Sequence, residues 1–111
     1  MRYKVGDRVF IRDYESIKSE FGNTPRNIEY DKEHHAIYIE DQCIWALKEF
    51  DDFRGVLFEI KSVGAVYYVL KRCDGKEERK LKEWCFTDSL LCDASSHRDR
   101  EYTESKLSEL M

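Results

Sequence analysis

The sequence predicts a mainly β domain: a small, strongly bent antiparallel barrel with two short helical insertions. Five or six short runs have the alternation or composition of strands, tight-turn signals separate them, and only two stretches show helical spacing. Closing a short sheet into a barrel removes its exposed edges. A length of 111 residues suits one such domain.

The first segment is predicted to be a half-buried strand followed by a helix. In YKVGDRVFIR, Val5, Val9 and Ile11 occupy one side of the alternation, and the other side holds Arg8, Phe10 and Arg12. Residues 13–22 have helical spacing, with Asp13 as N-cap and a glycine as stop. One helix is therefore expected directly after the first strand.

The next segment is predicted to be a β-hairpin followed by a second helix. NIEY and HAIYIE alternate around the polar DKEH, which suits a turn between two strands. Residues 41–55 place apolar side chains on helical faces, and Gly55 closes the run.

The second half is predicted to be a three-stranded antiparallel meander. VLFEIKS, AVYYVLKR and ERKLKEWCF are strand-like, and they are separated by a Val63-Gly64 turn and an Asp74-Gly75 hairpin signal. The barrel domain is expected to cover residues 1–92. Residues 93–111 are polar and are expected to form a flexible or loosely helical tail.

The stretch WCFTDSLL is predicted to close the barrel. Trp84 and Phe86 share one face of the run, while Cys85 points to the other. The turn that follows should carry Leu90 and Leu91 back to the core.

Several of these motifs resemble a known family. KVGDRVFIR, the FRG that ends the second helix, VLFEIKSVGAVYYVL and WCFTDSLL resemble the SH3-like barrels of the mind-bomb type found in small phage and prophage proteins. The resemblance covers residues 3–92, and the chain departs from it in the insert at 23–42 and in the tail. It implies a binding scaffold rather than an enzyme.

The chain is expected to be a cytoplasmic protein, in the bacterial host cytosol if it is phage-encoded. No apolar run approaches the roughly 20 residues that cross a bilayer, and the first residues lack signal-peptide features, so no membrane partner is expected. The four cysteines should then be reduced.

No residue constellation predicts catalysis, so no enzymatic activity is expected. His34 and His35 are consecutive and point to opposite faces of an extended strand. The acidic pairs at 40–41 and 51–52 are neighbours that do not face each other on a helix, and no glycine-rich phosphate loop occurs.

A small structural zinc protein is one alternative. Structural zinc sites usually have paired ligands two to four residues apart, whereas the four cysteines here are separated by 29, 11 and 6 residues. Cys73 and Cys85 could meet across the predicted hairpin and are the zinc candidates. The primary expectation is no cofactor.

The distribution of charge predicts a protein partner. Residues 13–60 carry twelve acidic and five basic residues, whereas residues 61–82 carry seven basic and three acidic residues. An acidic surface can occupy a groove built for a phosphate backbone. Together with the resemblance, this suggests an inhibitor of a host nucleic-acid-handling protein, for example an anti-CRISPR acting on a guided nuclease. The predicted partner-binding residues are Glu29, Asp31, Glu33, Glu40, Asp41, Trp45, Glu49, Asp51 and Asp52.

The second alternative is a nucleic-acid-binding barrel that uses the basic meander at 61–82. Basic residues with an outward aromatic ring can hold a strand by phosphate contact and base stacking. The residues predicted for this function are Lys61, Tyr68, Lys71, Arg72, Lys80 and Lys82.

Overall fold

The computed structural model describes residues 2–94. Within this range the strands are β1 (Arg8–Ile11), β2 (Ala36–Ile39), β3 (Ile44–Leu47), β4 (Phe58–Val63), β5 (Tyr68–Arg72) and β6 (Leu91–Asp93). The α-helices are α1 (Tyr14–Phe21), α2 (Pro25–His34) and α3 (Lys80–Glu83), and 3₁₀ helices span Glu40–Gln42, Lys48–Phe53 and Asp88–Leu90.

Four antiparallel strands form one sheet in the order β5, β4, β1, β6, and β2 pairs separately with β3. Just before β6, Phe86 forms an antiparallel bridge with Tyr68 of β5, and the Tyr68 N–H donates to the Phe86 carbonyl at 2.8 Å. The last segment therefore contacts both edges of the four-stranded sheet and bends it into a partly closed barrel. The predicted fold class, a mainly β antiparallel barrel with short helices, is confirmed in this form.

The first strand and the first helix follow their predicted patterns. Val9 and Ile11 are buried in the core, but Val5 lies in the turn before β1 and is 62% exposed, so its predicted place on the buried side was wrong. Asp13 caps α1 by accepting a hydrogen bond from the Ser16 N–H at 3.1 Å, and the helix ends at Gly22.

The predicted strand at NIEY is wrong, because residues 25–34 form helix α2. Thr24 is its N-cap, accepting a hydrogen bond from the Asn27 N–H at 3.2 Å, and Pro25 occupies the first helical turn, where a missing N–H is harmless. His35 ends the helix with a left-handed backbone (φ 52°). The following strand, predicted at HAIYIE, is confirmed as β2.

The predicted helix at 41–55 is also wrong. Cys43 has a left-handed backbone (φ 53°) after a single 3₁₀ turn, which reverses the chain into β3. In β3, Ile44 and Ala46 are buried while Trp45 is exposed, an alternation with the period of a strand. The 3₁₀ helix that follows buries Phe50.

The third strand of the predicted meander is replaced by a loop and a short helix. β4 and β5 form the expected antiparallel pair. At Asp74-Gly75 the chain does turn, with Gly75 at φ 79°, but the segment beyond it forms α3 instead of a ladder. Only Phe86 returns to pair with β5.

The closing segment packs as predicted. Phe86 is buried, and Trp84 packs with its ring centroid 4.9 Å from that of Phe50. Leu90 and Leu91 return to the core, whereas Cys85 is exposed. The aromatic rings here join the barrel to the long segment between β1 and β4, residues 12–57, which we call the insert.

Asn27 fixes the insert internally. Its side chain is 2% exposed and donates to the carbonyl oxygens of Phe21 (3.0 Å) and Tyr38 (3.1 Å), while its own oxygen accepts from the Tyr38 N–H at 2.8 Å. The side-chain amide of Asn27, on α2, thus provides hydrogen-bond partners for backbone groups of α1 and β2. These groups would otherwise be without partners in a water-poor interior.

The predicted C-terminal tail lies outside the described residues from residue 95 onward. β6 ends at Asp93, and Ala94 beside it is buried. Within residues 2–94, no helix has the length and apolar character needed to cross a bilayer.

Replacing Asn27 by alanine should lower the free energy of unfolding by about 2–4 kcal/mol, because three backbone groups lose buried hydrogen bonds. Urea denaturation at neutral pH measures this change. Asn23→Ala, at an exposed position before the helix, is the matched control and should change stability little. A loss for Asn27→Ala no larger than for the control would contradict the assigned role.

Candidate protein-binding surface

The insert carries a cluster of aromatic rings in edge-to-face and tilted contact on its outer surface, which we call the aromatic patch: Tyr30, Tyr38 and Trp45, with Arg26. Trp45 is 38% exposed, with its ring centroid 4.8 Å from that of Tyr38 and 5.0 Å from that of Tyr30. The Arg26 guanidinium lies 4.7 Å from the Tyr38 ring centroid and 5.8 Å from that of Tyr30. The rings hold one another in a fixed arrangement.

Strand register and helix spacing bring these residues together. Tyr38 and Trp45 are directly opposite in the β2–β3 ladder, and their side chains leave its outer face while Ile37 and Ile44 fill the core. Arg26 and Tyr30 lie four residues apart on α2, so they share one helix face.

Acidic groups border the aromatic patch. Glu40 Oε1 lies 3.9 Å from the Arg26 guanidinium, and Glu33 Oε2 lies 3.6 Å from His34 Nε2. The His34 ring in turn packs 5.5 Å from that of Tyr30. Both carboxylates are largely exposed, so two acidic groups and the Arg26 guanidinium border the aromatic rings.

The other predicted acidic residues occupy several different places on the insert. Glu29 and Glu33 line a hollow of about 550 Å³ on α2 beside Ile28. Asp41 lines a second hollow, next to Tyr67. Asp52 and Glu49 line a third, of about 340 Å³. The structure therefore does not bring the nine predicted partner-binding residues to a single site.

Besides Glu33 and Glu40, three more of the predicted acidic residues contact other groups of the domain. Asp31 accepts a hydrogen bond from the Tyr14 hydroxyl at 2.5 Å and lies 2.6 Å from Lys18 Nζ. Asp51 accepts from the Tyr14 N–H at 2.9 Å, at the start of α1. Glu49 lies 3.0 Å from the ammonium of Lys80.

The contacts of Asp31 shift its own pKa and that of Tyr14. The Lys18 ammonium, followed by the Tyr14 hydroxyl, lowers the pKa of Asp31 because both stabilise the charged carboxylate. Burial and the bond to Asp31 raise the pKa of Tyr14. Asp31 thus holds α2 against α1.

Four of the six predicted nucleic-acid-binding residues converge. Lys61, Lys71, Arg72 and Lys82 line one groove beside β5. Tyr68 is 1% exposed and its hydroxyl donates to Asp88, so the ring is not on the surface for base stacking. The ammonium of Lys80 lies against Glu49 instead.

The cysteines are separate thiols. Cys73 and Cys85 are both exposed, and neither forms a disulfide. Among residues 2–94, no three His, Cys, Asp or Glu side chains gather where they could hold a metal ion.

Arg26, Tyr30 and Tyr38 were absent from the sequence-based site, which included only Trp45 from the patch. Misreading α2 as a strand hid the spacing between Arg26 and Tyr30. Reading β3 as a helix hid the cross-strand pair of Tyr38 and Trp45. Two adjacent alternating runs with an aromatic in each could have indicated that pair.

Comparison with known proteins gives no relative: the chain matches no protein-family model, no curated protein and no solved structure.

Asp31→Asn should destabilise the domain by about 1–2 kcal/mol at neutral pH, because the charge-assisted contacts to Lys18 and Tyr14 are weakened. A carboxylate with a lowered folded-state pKa stabilises the fold above its unfolded-state pKa of about 3.9, and that stabilisation is lost as the pH falls through the folded-state pKa. The difference between wild type and Asp31→Asn should therefore be largest near neutral pH and shrink below about pH 4.

Denaturant unfolding as a function of pH measures this difference. Glu29→Gln, an exposed carboxylate on the same helix, is the control and should show a smaller, flatter effect. A difference for Asp31→Asn that is constant with pH would contradict the assigned ionic role.

Proposed function

We propose that this chain is a non-enzymatic protein-binding module, and that the aromatic patch docks on its partner. The observation that carries this proposal is the exposed Trp45, which packs against Tyr30 and Tyr38; the Arg26 guanidinium makes cation–π contacts with both of those tyrosine rings. Tryptophan, tyrosine and arginine are the residue types enriched at the centres of protein interfaces.

Pre-organisation supports the same function. A flexible side chain loses rotamer freedom when a partner immobilises it, at about 0.5–1.5 kcal/mol each. The rings of the patch are already fixed by one another and by the β2–β3 register. More of the contact energy is then available for affinity.

The charge around the patch indicates the chemistry of the partner. Glu33 and Glu40 lie at its edge, and the whole segment 13–60 is strongly acidic. Such a surface complements a partner face that combines basic residues with an apolar pocket for Trp45. Long-range attraction would speed association and make it sensitive to salt.

Proteins that handle nucleic acids commonly present basic faces of this kind. The resemblance to the mind-bomb type of SH3-like barrel in phage and prophage proteins supports a partner in a bacterial host. The proposed role is accordingly inhibition of a host nucleic-acid-handling protein, for example an anti-CRISPR acting on a guided nuclease. In that role the acidic insert competes for a surface that otherwise holds a phosphate backbone.

Capture from position 45 tests the proposal. A photo-crosslinking phenylalanine derivative at Trp45, expressed in bacterial cells, should form a covalent adduct with a discrete protein on irradiation. The same derivative at Val5, which is exposed but outside the aromatic patch, is the matched control and should not capture that protein. Equal capture from both positions would contradict the proposal.

Affinity for the captured protein then measures the contribution of the patch. Trp45→Ala should weaken binding at least about tenfold, as expected for an interface centre, whereas Val5→Ala should not. Thermal melts must show that both variants unfold cooperatively. If the partner is a nuclease, the wild-type chain should inhibit cleavage and Trp45→Ala should inhibit it less; equal affinity of the two variants would refute the assigned surface.

A further inference from the structure

A second surface of the domain, apart from the aromatic patch, is strongly basic. Beside β5 lies a hollow of about 330 Å³ that we call the basic groove. Its floor includes Leu70 and Leu81, which are buried in the core. Its cationic lining residues are Lys61, Lys71, Arg72, Lys76, Arg79 and Lys82, against two carboxylates, Glu77 and Glu78. All of these cations except Arg72 are exposed, so a ligand can reach them without displacing the core.

Four of the six cations have no ion-pair partner among residues 2–94. Lys71 pairs with Glu59 at 2.9 Å, and Arg72 pairs with Asp74 at 2.8 Å. The ion pairs of the described residues do not include the other four, which are Lys61, Lys76, Arg79 and Lys82. The basic groove therefore keeps an excess of positive charge that is open to solvent, and such a field attracts polyanions.

The lining of the basic groove suits the phosphates of a nucleic acid and not its bases. Lysine and arginine bind the phosphate backbone and release the counterions condensed on it. The part of the lining that the structure describes has no aromatic ring, and Tyr68 of the same strand is buried, so unpaired bases would find no stacking surface. The same part has no hydroxyl or amide side chain to contact the 2′-hydroxyls of an RNA duplex.

We infer that the basic groove binds double-stranded DNA through its phosphate backbone, without reading the base sequence. Duplex DNA carries one negative charge per about 1.7 Å of helix axis. An extended acidic peptide carries at most one charge per residue, and its residues are about 3.3 Å apart. The duplex therefore gains most from several unpaired cations around one hollow. The contact needs only exposed side chains, so the buried floor and the backbone of β5 take no part in it.

The acidic insert determines the side from which DNA can approach. Residues 13–60 carry twelve acidic and five basic residues, so they repel a polyanion. Lys80 and Lys82 both belong to α3, but the Lys80 ammonium lies 3.0 Å from Glu49 of the insert, whereas Lys82 lines the basic groove. The boundary between the two fields thus runs along α3. DNA is expected to contact the domain on the β5 side of that boundary.

This inference does not depend on the proposed function, because the basic groove and the aromatic patch share no residues. Trp45→Ala should leave DNA binding intact. Removal of groove cations should leave binding to the protein captured at position 45 intact. Failure of either proposal is therefore visible without failure of the other.

The test uses the full chain and a short fluorescein-labelled DNA duplex, with fluorescence anisotropy measured over a range of salt concentrations. Three probes of equal length accompany it: single-stranded DNA of the same sequence, an RNA duplex and poly-glutamate. We expect saturable binding of the DNA duplex at low ionic strength and weaker binding of each other probe. If the four unpaired cations each neutralise one phosphate, the logarithm of the affinity should fall against the logarithm of salt concentration with a slope of roughly -3.6.

Charge removal locates the site. Lys61→Gln combined with Lys82→Gln should weaken duplex binding at least about tenfold at low salt and reduce the salt slope by about half, because two of the four unpaired cations are lost. Lys32→Gln combined with Lys48→Gln removes two exposed charges from the insert and should change binding much less. Circular dichroism verifies that each variant is folded. In ¹⁵N NMR of the wild type, the amides of residues 69–82 should shift on binding, and the Trp45 indole should not.

The inference is overturned if the DNA duplex shows no saturable binding. Tighter binding of the single strand or of the RNA duplex would overturn it in favour of a site for that nucleic acid. Tighter binding of poly-glutamate would overturn it in favour of an acidic protein ligand. Equal losses for the two pairs of substitutions would show attraction to overall charge and would refute the assigned groove.

Discussion

The candidate interface depends on one buried amide. Asn27 lies on α2 and binds the backbone of Phe21 at the end of α1 and of Tyr38 in the middle of β2. A helix packed on a two-stranded ribbon has little core of its own, and two-stranded ribbons are marginal without support. Because Asn27 binds the backbone of Tyr38, these buried hydrogen bonds fix the position of Tyr38 in the aromatic patch. The buried hydrogen bonds of Asn27 thus determine the position of the exposed aromatic patch.

The fold separates opposite charges between two structural parts. Residues 61–82, which include β5 and most of α3, carry seven basic and three acidic residues, whereas the long insert between β1 and β4 is acidic. Lys80 meets Glu49 at the boundary, at 3.0 Å. Exposed ion pairs of this kind contribute little stability, so the separation is better understood through its effect on the approach of charged molecules. The two parts therefore present electrostatic fields of opposite sign.

The sequence was informative where one periodicity dominated and a turn residue marked its end. Val9 and Ile11, the capped helix after Asp13, the β4–β5 hairpin and the closing Phe86 were all predictable on that basis. The insert was misassigned because its sequence patterns fit more than one structure. Thr24-Pro25 starts a helix in a segment that also has the alternation of a strand. The spacing of Ile44, Leu47 and Phe50 fits a helix as well as a strand followed by a 3₁₀ helix. The left-handed backbone at His35 and Cys43 decided both cases, and this conformation is uncommon for residues other than glycine. The aromatic patch could not be predicted without the correct assignment of α2 as a helix and β3 as a strand.

The pairing of β1 with β6 has a consequence for biosynthesis. Ile11 lies opposite Leu91, so the second of the two strands that pair with β1 is available only after nearly the whole domain has been translated. Contacts this distant in sequence slow folding, since a long loop must close before any pairing energy is gained. The helices and the ribbon of the insert contact each other over shorter sequence separations, so those contacts can form before the β1–β6 pairing. During that interval Val9 and Ile11 lack their final cover, and the charges of Arg8 and Arg12 on either side of them oppose aggregation of the strand.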